Sequence, residues 1–306
     1  MSRAVVFAYH TVGVRCLKAL LGRGVEVALV VTHRDNPAET IWFDSVERVA
    51  REYDIPVLTP DDPNTPEVLA AVRAARPDFL FSFYYRHMIG QPLLDVPARG
   101  AFNMHGSLLP RYRGRVPINW AIIHGESETG ATLHVMNAKP DNGAIADQMA
   151  VPILPDDTAE DVFAKVVCAA EMVLWRSLPA LEAGTLPLTV QDLSLGGYFG
   201  GRKPEDGRLD GTAGAQRLHD FVRALARPYP GAFADVEAGR LVLWRTRRAP
   251  FRGEPAARAR LRLIDERLCL EAADGGVLYV LEAELNGAPL DAARFQQCFV
   301  SGSVTV

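Results

Sequence analysis

Through its first half the chain alternates short apolar runs with segments of helical period, and this rhythm narrows the possible fold more than any other feature. "AVVFA" is followed by a helical pattern from Val14 to Gly22, "VEVALVVT" by "SVERVAREYD", and "PVLTP" by "PEVLAAVRAA"; "DFLFSFYY" comes next. Such alternation predicts βαβ units and a Rossmann-like, mostly parallel sheet with helices on both faces. "RGAFNMH" reads as the next strand and "PINWAIIHG" as a short helix. "GATLHVMN" and "AIADQMAVPI" read as strands around a turn at "KPDNG". "DTAEDVFAKVVCAAEMVLWRSLPALEAG" is the longest predicted helix, opened by an Asp/Thr cap with Glu160 near its start and closed at Gly184.

Beyond that helix the pattern changes. "LGGYFGGRKPEDGRLDGTAG" (Leu195 to Gly214) is rich in glycine and charge, the composition of a linker or mobile loop. A helix, "AGAQRLHDFVRALA", precedes alternating segments such as "GAFADVEAGRLVLWR", which predict a smaller C-terminal β-rich domain, barrel- or OB-like. The expected division is a catalytic domain over residues 1–190, a linker loop over 191–210 and the β-rich domain over 211–306.

With 306 residues, 48% of them hydrophobic, the chain can fill two cores. Lys and Arg number 33 against 37 Asp and Glu, for a formal net charge of -4, so the composition supplies no broad grip on nucleic acid. Cys16, Cys168, Cys269 and Cys298 are scattered and form no C-x-x-C, which predicts reduced thiols, no metal site and a cytoplasmic protein. The N-terminus lacks a signal-peptide pattern, and no apolar run approaches the ~20 residues that span a bilayer, so no membrane insertion is expected. Neither G-x-G-x-x-G nor G-x-x-x-x-G-K-[ST] follows the first strand, and H-E-x-x-H and G-x-S-x-G do not occur. Dinucleotide, P-loop, zinc-hydrolase and serine-hydrolase chemistry therefore lose their sequence support.

What remains is "FNMHGSLLPRYRG". On a strand, alternation puts Asn103 and His105 on one face near the carboxyl end, where open α/β sheets bind ligands. An isolated N-x-H more often satisfies backbone groups at a strand end, and Asp141 in "NAKPDNGAI" is by itself an ordinary turn residue. Brought together, they have chemistry. A carboxylate beside His105 would stabilise its imidazolium, and the Asn103 amide could donate to a developing oxyanion. These functions suit acyl or formyl transfer to an amine. His10 and His134 are candidate lining residues or satisfied histidines in equal measure; Arg111 and Arg113 read as solvated turn residues.

The pattern N-x-H-x-S-L-L-P-x-Y-R-G, with a D-x-G turn further on and "VRALARPYPGAF" (Val222 to Phe233), resembles the folate-dependent formyltransferases over essentially the whole chain. The resemblance implies a formyltransferase enzyme with N10-formyltetrahydrofolate as co-substrate. It implies that Asn103 orients the formyl group, that His105 gives and takes a proton, and that Asp141 favours the protonated imidazole and fixes its tautomer. It also implies a donor site made by His87, Met88 and Ile89, whose backbone pairs with the pterin edge, together with Arg115 and the loop Asn137, Ala138, Lys139, Pro140 and Asp141.

Two acceptors compete within that family. The methionyl-tRNA enzymes carry a long basic, glycine-rich insertion after the second strand, where this chain has only "THRDNPAETIWFDSV". "VVTHRDNP", "FSFYYRHMI", "RVPINW" and "YFGGRKPEDG" instead resemble the formyltransferase part of the bifunctional enzyme that modifies UDP-4-amino-4-deoxy-L-arabinose for lipid A and polymyxin resistance. That relative continues into an NAD-dependent decarboxylase domain whose activity is not carried over. The expected partners are therefore small molecules, the folate donor and a nucleotide-linked amino sugar, with no nucleic acid. Another UDP- or dTDP-4-amino sugar or methionyl-tRNA is the alternative acceptor, and a non-catalytic folate or sugar-nucleotide binder is the alternative class. Tyr198, Arg202 and Lys203 are candidates to close over the sugar nucleotide.

Overall fold

A computed structural model describes residues 2–306. In chain order the first half comprises β1 (Arg3–Ala8), α1 (His10–Gly22), β2 (Glu26–Val31), α2 (Val46–Glu52), β3 (Val57–Leu58), α3 (Pro66–Ala75), β4 (Phe79–Phe83), α4 (Gln91–Leu94) and β5 (Ala101–His105). There follow β6 (Arg113–Gly114), α5 (Pro117–Ile123), β7 (Glu128–Val135), β8 (Ile145–Pro152), α6 (Ala159–Ala183), β9 (Tyr198–Phe199) and α7 (Ala215–Ala224). The chain ends with β10 (Ala232–Val236), β11 (Gly239–Arg252), β12 (Arg260–Ile264), β13 (Arg267–Glu271), β14 (Gly276–Leu285), β15 (Ala288–Pro289), α8 (Ala292–Cys298) and β16 (Ser303–Thr305).

The chain forms two compact units. One gathers the residues up to Pro117 with Glu128–Val151 and Ala164–Gly200; the other gathers Ile118–Ser127, Pro152–Phe163 and Gly201–Val306. The first is built on a sheet ordered β3-β2-β1-β4-β5-β7-β8. Its first five strands pair in parallel, and β7 lies antiparallel to β5. The predicted mostly parallel α/β sheet is therefore observed. Alternation explains how one strand serves two cores: β4 is buried along its whole length. Leu80 packs in a cluster with Val5, Phe7, Val31 and Val72, whereas Phe79, Phe81 and Phe83 turn the other way and meet one another and Phe102. Helix starts follow capping chemistry, with Ser45 accepting from the Arg48 N–H ahead of α2 and Thr65 from the Val68 N–H ahead of α3, where Pro66 opens the first turn.

The glycine-rich stretch after α6, expected as a linker or mobile loop, has order of its own. β9 pairs in parallel with β6, joining Arg113 to Tyr198 and Gly114 to Phe199. Gly114 sits at φ 99°, and a Cβ there would stand 2.2 Å from the Phe199 carbonyl oxygen, so glycine is required both by conformation and by approach. Arg113 fixes the same junction by donating to the carbonyls of Leu193 and Gly196.

In the second unit the strands form a seven-stranded antiparallel sheet along the order β10-β11-β14-β13-β12-β16, with β15 on β14. Leu218 and Val222 of α7 fill its core with Leu241, Leu243, Leu270, Leu278, Phe295 and Phe299. Asn119 of α5 donates to the Ala224 carbonyl at 2.7 Å, and the buried Arg223 pairs with Asp220 and donates to the Asp157 carbonyl. Among the described residues no helix is long and apolar enough to cross a membrane.

Phe81→Ala removes the ring that contacts Phe79, Phe83 and Phe102. Urea unfolding should show a loss of about 3–5 kcal/mol, and a loss below about 1 kcal/mol would contradict this packing.

Candidate active site

The site is built on the antiparallel pairing of β5 with β7. The β5–β7 register sets Asn103 opposite His134 and His105 opposite Thr132. Thr132 serves the loop after β5: its hydroxyl donates to the Ser107 carbonyl at 2.6 Å and accepts from the Leu109 N–H. After β7 the chain turns through Asn137, whose side chain accepts from the Lys139 N–H, to Asp141 at φ 56°, in the left-handed region. Gln191 braces that turn by donating to the carbonyls of Asp141 and Gly143.

These supports deliver the Asp141 carboxylate between two imidazoles. Its Oδ1 lies 3.5 Å from His105 Nδ1 and 3.5 Å from His134 Nε2, and its Oδ2 accepts from the Gly114 N–H at 2.8 Å. The His105, His134 and Asp141 side chains are 7%, 2% and 11% exposed, so water screens the cluster little. Burial pushes the Asp141 carboxyl up, but His105, His134 and the Gly114 N–H together outweigh it and hold the group far below the usual carboxylate range.

The hydrogen-bond partners assign protons. His105 Nε2 lies 2.8 Å from the Tyr112 carbonyl oxygen, an acceptor only, so Nε2 carries a proton and donates it. Its Nδ1 then faces the carboxylate, a contact that becomes an ion pair when the ring takes a second proton. His134 Nδ1 donates to the Val135 carbonyl, while its Nε2 lies 3.1 Å from Asn103 Nδ2 and 3.5 Å from Asp141 Oδ1, so a proton on Nε2 serves the carboxylate and a lone pair there serves the Asn103 amide. The Asn103 amide turns its nitrogen to that ring, and its second amide proton stays available for a ligand oxygen.

The structure thus brings Asn103, His105 and Asp141 together and adds His134 as the group that touches both Asn103 and Asp141. Sequence reasoning left His134 undecided; the distinguishing signal is the antiparallel register between "NMH" and "TLHV", which a reading of single strands does not contain. Arg115 is exposed, and its guanidinium makes no hydrogen bond or ion pair among the described residues. Arg113, read as solvated, is spent on the β6–β9 junction. Asn137, Ala138 and Lys139 are exposed on the turn, with Pro140 half-buried behind them. His87 and Met88 are exposed and Ile89 buried, on the segment between β4 and α4.

Beside that segment, at the carboxyl ends of β1, β2 and β4, lies an aromatic cluster. His10 stacks on Phe43 with centroids 3.9 Å apart, and His33 stacks on Tyr85 at 4.1 Å and meets His87 edge-on. Tyr198 lies in β9 and is exposed. Arg202 and Lys203 belong to the second unit, where Arg202 covers Trp120 and Phe221.

A doubly wound sheet with an amide, two imidazoles and a carboxylate converging near a strand's end presents the groups that acyl-type group transfer uses. The chain belongs to the formyl transferase family: residues 3–178 match the formyl transferase model and residues 202–299 that of the formyl transferase C-terminal domain. Among solved structures it is similar to WlaRD, a sugar 3N-formyl transferase studied in the presence of dTDP and 5-N-formyl-THF, with a TM-score of 0.70, 19% identity and coverage of 94% of this chain and 98% of that one. An N-formyltransferase from Helicobacter canadensis, in complex with folinic acid and dTDP-3-aminofucose, gives 0.66 and 18% identity over 92% and 98%. HypX from Aquifex aeolicus, in complex with tetrahydrofolic acid, gives 0.65 and 18% over 98% of this chain and 48% of that one. At these identities the likeness establishes the shared fold.

The imidazoles of the aromatic cluster make stability pH-dependent. Burial, reinforced by Arg86, lowers the His10 pKa from 6.5 to about 3; burial, with His87 and Arg86, lowers that of His33 to about 4. Both are neutral when folded and titrate near 6.5 when unfolded, so the unfolded chain binds the extra protons. Their stabilisation is complete above pH 6.5 and falls away as pH drops towards 4 and 3. Asp141 has the same sign in a lower window: its contribution is present above the ordinary value of 3.8 and fades below it. Thermal unfolding between pH 7 and pH 4 should show a declining midpoint, and His33→Gln should flatten that decline; equal slopes would contradict the assignment.

Proposed function

We propose that this protein transfers a formyl group from N10-formyltetrahydrofolate to the amino group of a nucleotide-linked amino sugar. The observation that carries the reading is the buried Asp141 carboxylate shared by His105 and His134, with Asn103 held by His134. The solved relatives that contain folates and dTDP or a dTDP-amino sugar support the substrate classes.

The residues of the expected donor site suit a flat, hydrogen-bonding heterocycle with an anionic tail. The Met88 and Ile89 N–H groups donate to no group among the described residues, and the exposed Arg115 guanidinium suits a carboxylate. His87, Met88, Ile89, Arg115 and the turn from Asn137 to Asp141 would hold the folate, which supplies an electrophilic formyl carbon when bound. Asn103 offers its second amide proton to the formyl oxygen as negative charge develops there. His105 moves the proton: Nδ1 faces Asp141, and Nε2, exchanging its bond to the Tyr112 carbonyl for the reacting nitrogens, takes a proton from the attacking amine and returns one to the folate nitrogen as the bond from that nitrogen to the formyl carbon breaks. Asp141 stays ionised throughout, which is what its depressed proton affinity provides.

For the acceptor, the sequence resemblance favours UDP-4-amino-4-deoxy-L-arabinose. A second reading, a dTDP-linked 3-amino sugar, is favoured by the WlaRD and Helicobacter canadensis relatives. The short, near-neutral segment after β2 gives no electrostatic support to a tRNA.

His105→Ala and Asp141→Asn should each lower kcat at least ~100-fold with circular dichroism unchanged, and Asn103→Ala should lower it by ~100- to 1000-fold. Near-wild-type turnover in any of the three would overturn the assignment. A panel of UDP- and dTDP-linked 3- and 4-amino sugars offered with N10-formyltetrahydrofolate, read by mass for one added formyl group, identifies the acceptor. Failure of every sugar, with the folate donor intact, would overturn the sugar reading.

A further inference from the structure

One exposed side chain makes a set of hydrogen bonds out of proportion to its position. Asn64, in the loop between β3 and α3, directs its amide across to the segment between β4 and α4: Nδ2 donates to the Met88 carbonyl at 3.0 Å, and Oδ1 accepts from the Gly90 N–H at 2.7 Å. The other Nδ2 proton goes to Asp62 Oδ1 at 3.0 Å, which also accepts from the Asn64 backbone N–H at 2.8 Å. Because a carboxylate only accepts, Asp62 fixes the amide with its nitrogen towards Met88 and its oxygen towards Gly90. The approach is close, since a Cβ on Gly90 would stand 2.8 Å from Asn64 Oδ1.

The near end of the same segment is held by a second side chain. The Arg86 N–H donates to His33 Nε2 at 3.0 Å, with the His33 ring stacked on Tyr85. Arg86 to Gly90 is therefore five residues without helix or strand, anchored at its two ends by groups from other loops. Between the anchors, the Met88 and Ile89 N–H groups and the His87 carbonyl make no bond among the described residues. An irregular segment with its ends tied and its middle unspent is an ordered edge, ready to pair with a planar ligand without first losing conformational freedom.

We propose that Asn64 is a positioning residue for the formyl donor: by clamping Met88 and Gly90 it holds the His87–Ile89 backbone in the register that reads the heterocycle. The inference rests on the reading of that segment as the donor site. Asn64→Ala deletes both clamps. Asn64→Asp retains an acceptor for the Gly90 N–H but sets a carboxylate oxygen against the Met88 carbonyl.

The test is steady-state kinetics on both variants, varying each substrate in turn, with calorimetric titration of 5-formyltetrahydrofolate into the wild-type protein and Asn64→Ala. The KM for the formyl donor should rise roughly tenfold in each variant, the worth of about one net hydrogen bond. The KM for the amino sugar and kcat at saturating donor should stay within about twofold, and folate affinity in Asn64→Ala should fall in step with the donor KM. A donor KM unchanged in both variants, or a fall in kcat shared by both substrates, overturns the positioning role while leaving the donor site in place. A wild-type protein that binds no 5-formyltetrahydrofolate overturns the donor site itself and this inference with it.

Discussion

Everything distinctive about this site follows from burying one carboxylate among groups that can only be arranged one way. Asp141 loses most of its water and regains interaction from two imidazoles and a backbone N–H, each from a different part of the chain. His105 comes from the end of β5, His134 from β7, and Gly114 from the strand that β9 holds in place. A buried charge tolerates the loss of any partner poorly. The requirement therefore reaches outward to Thr132, which braces the loop after β5, and to Gln191, which braces the turn that carries Asp141 itself.

The two imidazoles, though they share a carboxylate oxygen, are differently constrained. His134 is locked by the Val135 carbonyl on one nitrogen and the Asn103 amide on the other, so its role is to orient. His105 is tied on Nε2 only to a backbone carbonyl in an irregular loop. One pair of histidines on adjacent strands thus divides into a member held on both nitrogens and a member whose Nε2 meets only a backbone carbonyl, and the division is made by what lies on their far sides.

Much of this was legible in the sequence, for identifiable reasons. Alternation put Asn103 and His105 on one face, and the βαβ rhythm gave the parallel sheet, because both depend on local periodicity. The role of His134 was not legible, since it depends on β7 pairing antiparallel to β5 in a particular register. Nor was the order in the glycine-rich stretch: Gly196 read as flexibility, yet glycine there serves close approach to the Pro110 backbone, and Arg113, read as a solvated residue, donates to its carbonyl. Asn64 gave no signal at all, since an Asn in "DDPNTP" is what any turn would contain.

The β5–β7 pairing also bears on how such a site is inherited. Because Asn103 faces His134 and His105 faces Thr132 across the ladder, the four positions make two couples rather than four independent choices. A change at one member alters the orientation or the loop support of its opposite number. The turn from Asn137 to Lys139 is exposed and bound by no such coupling. Over descent, drift along the ladder would be paired and slow.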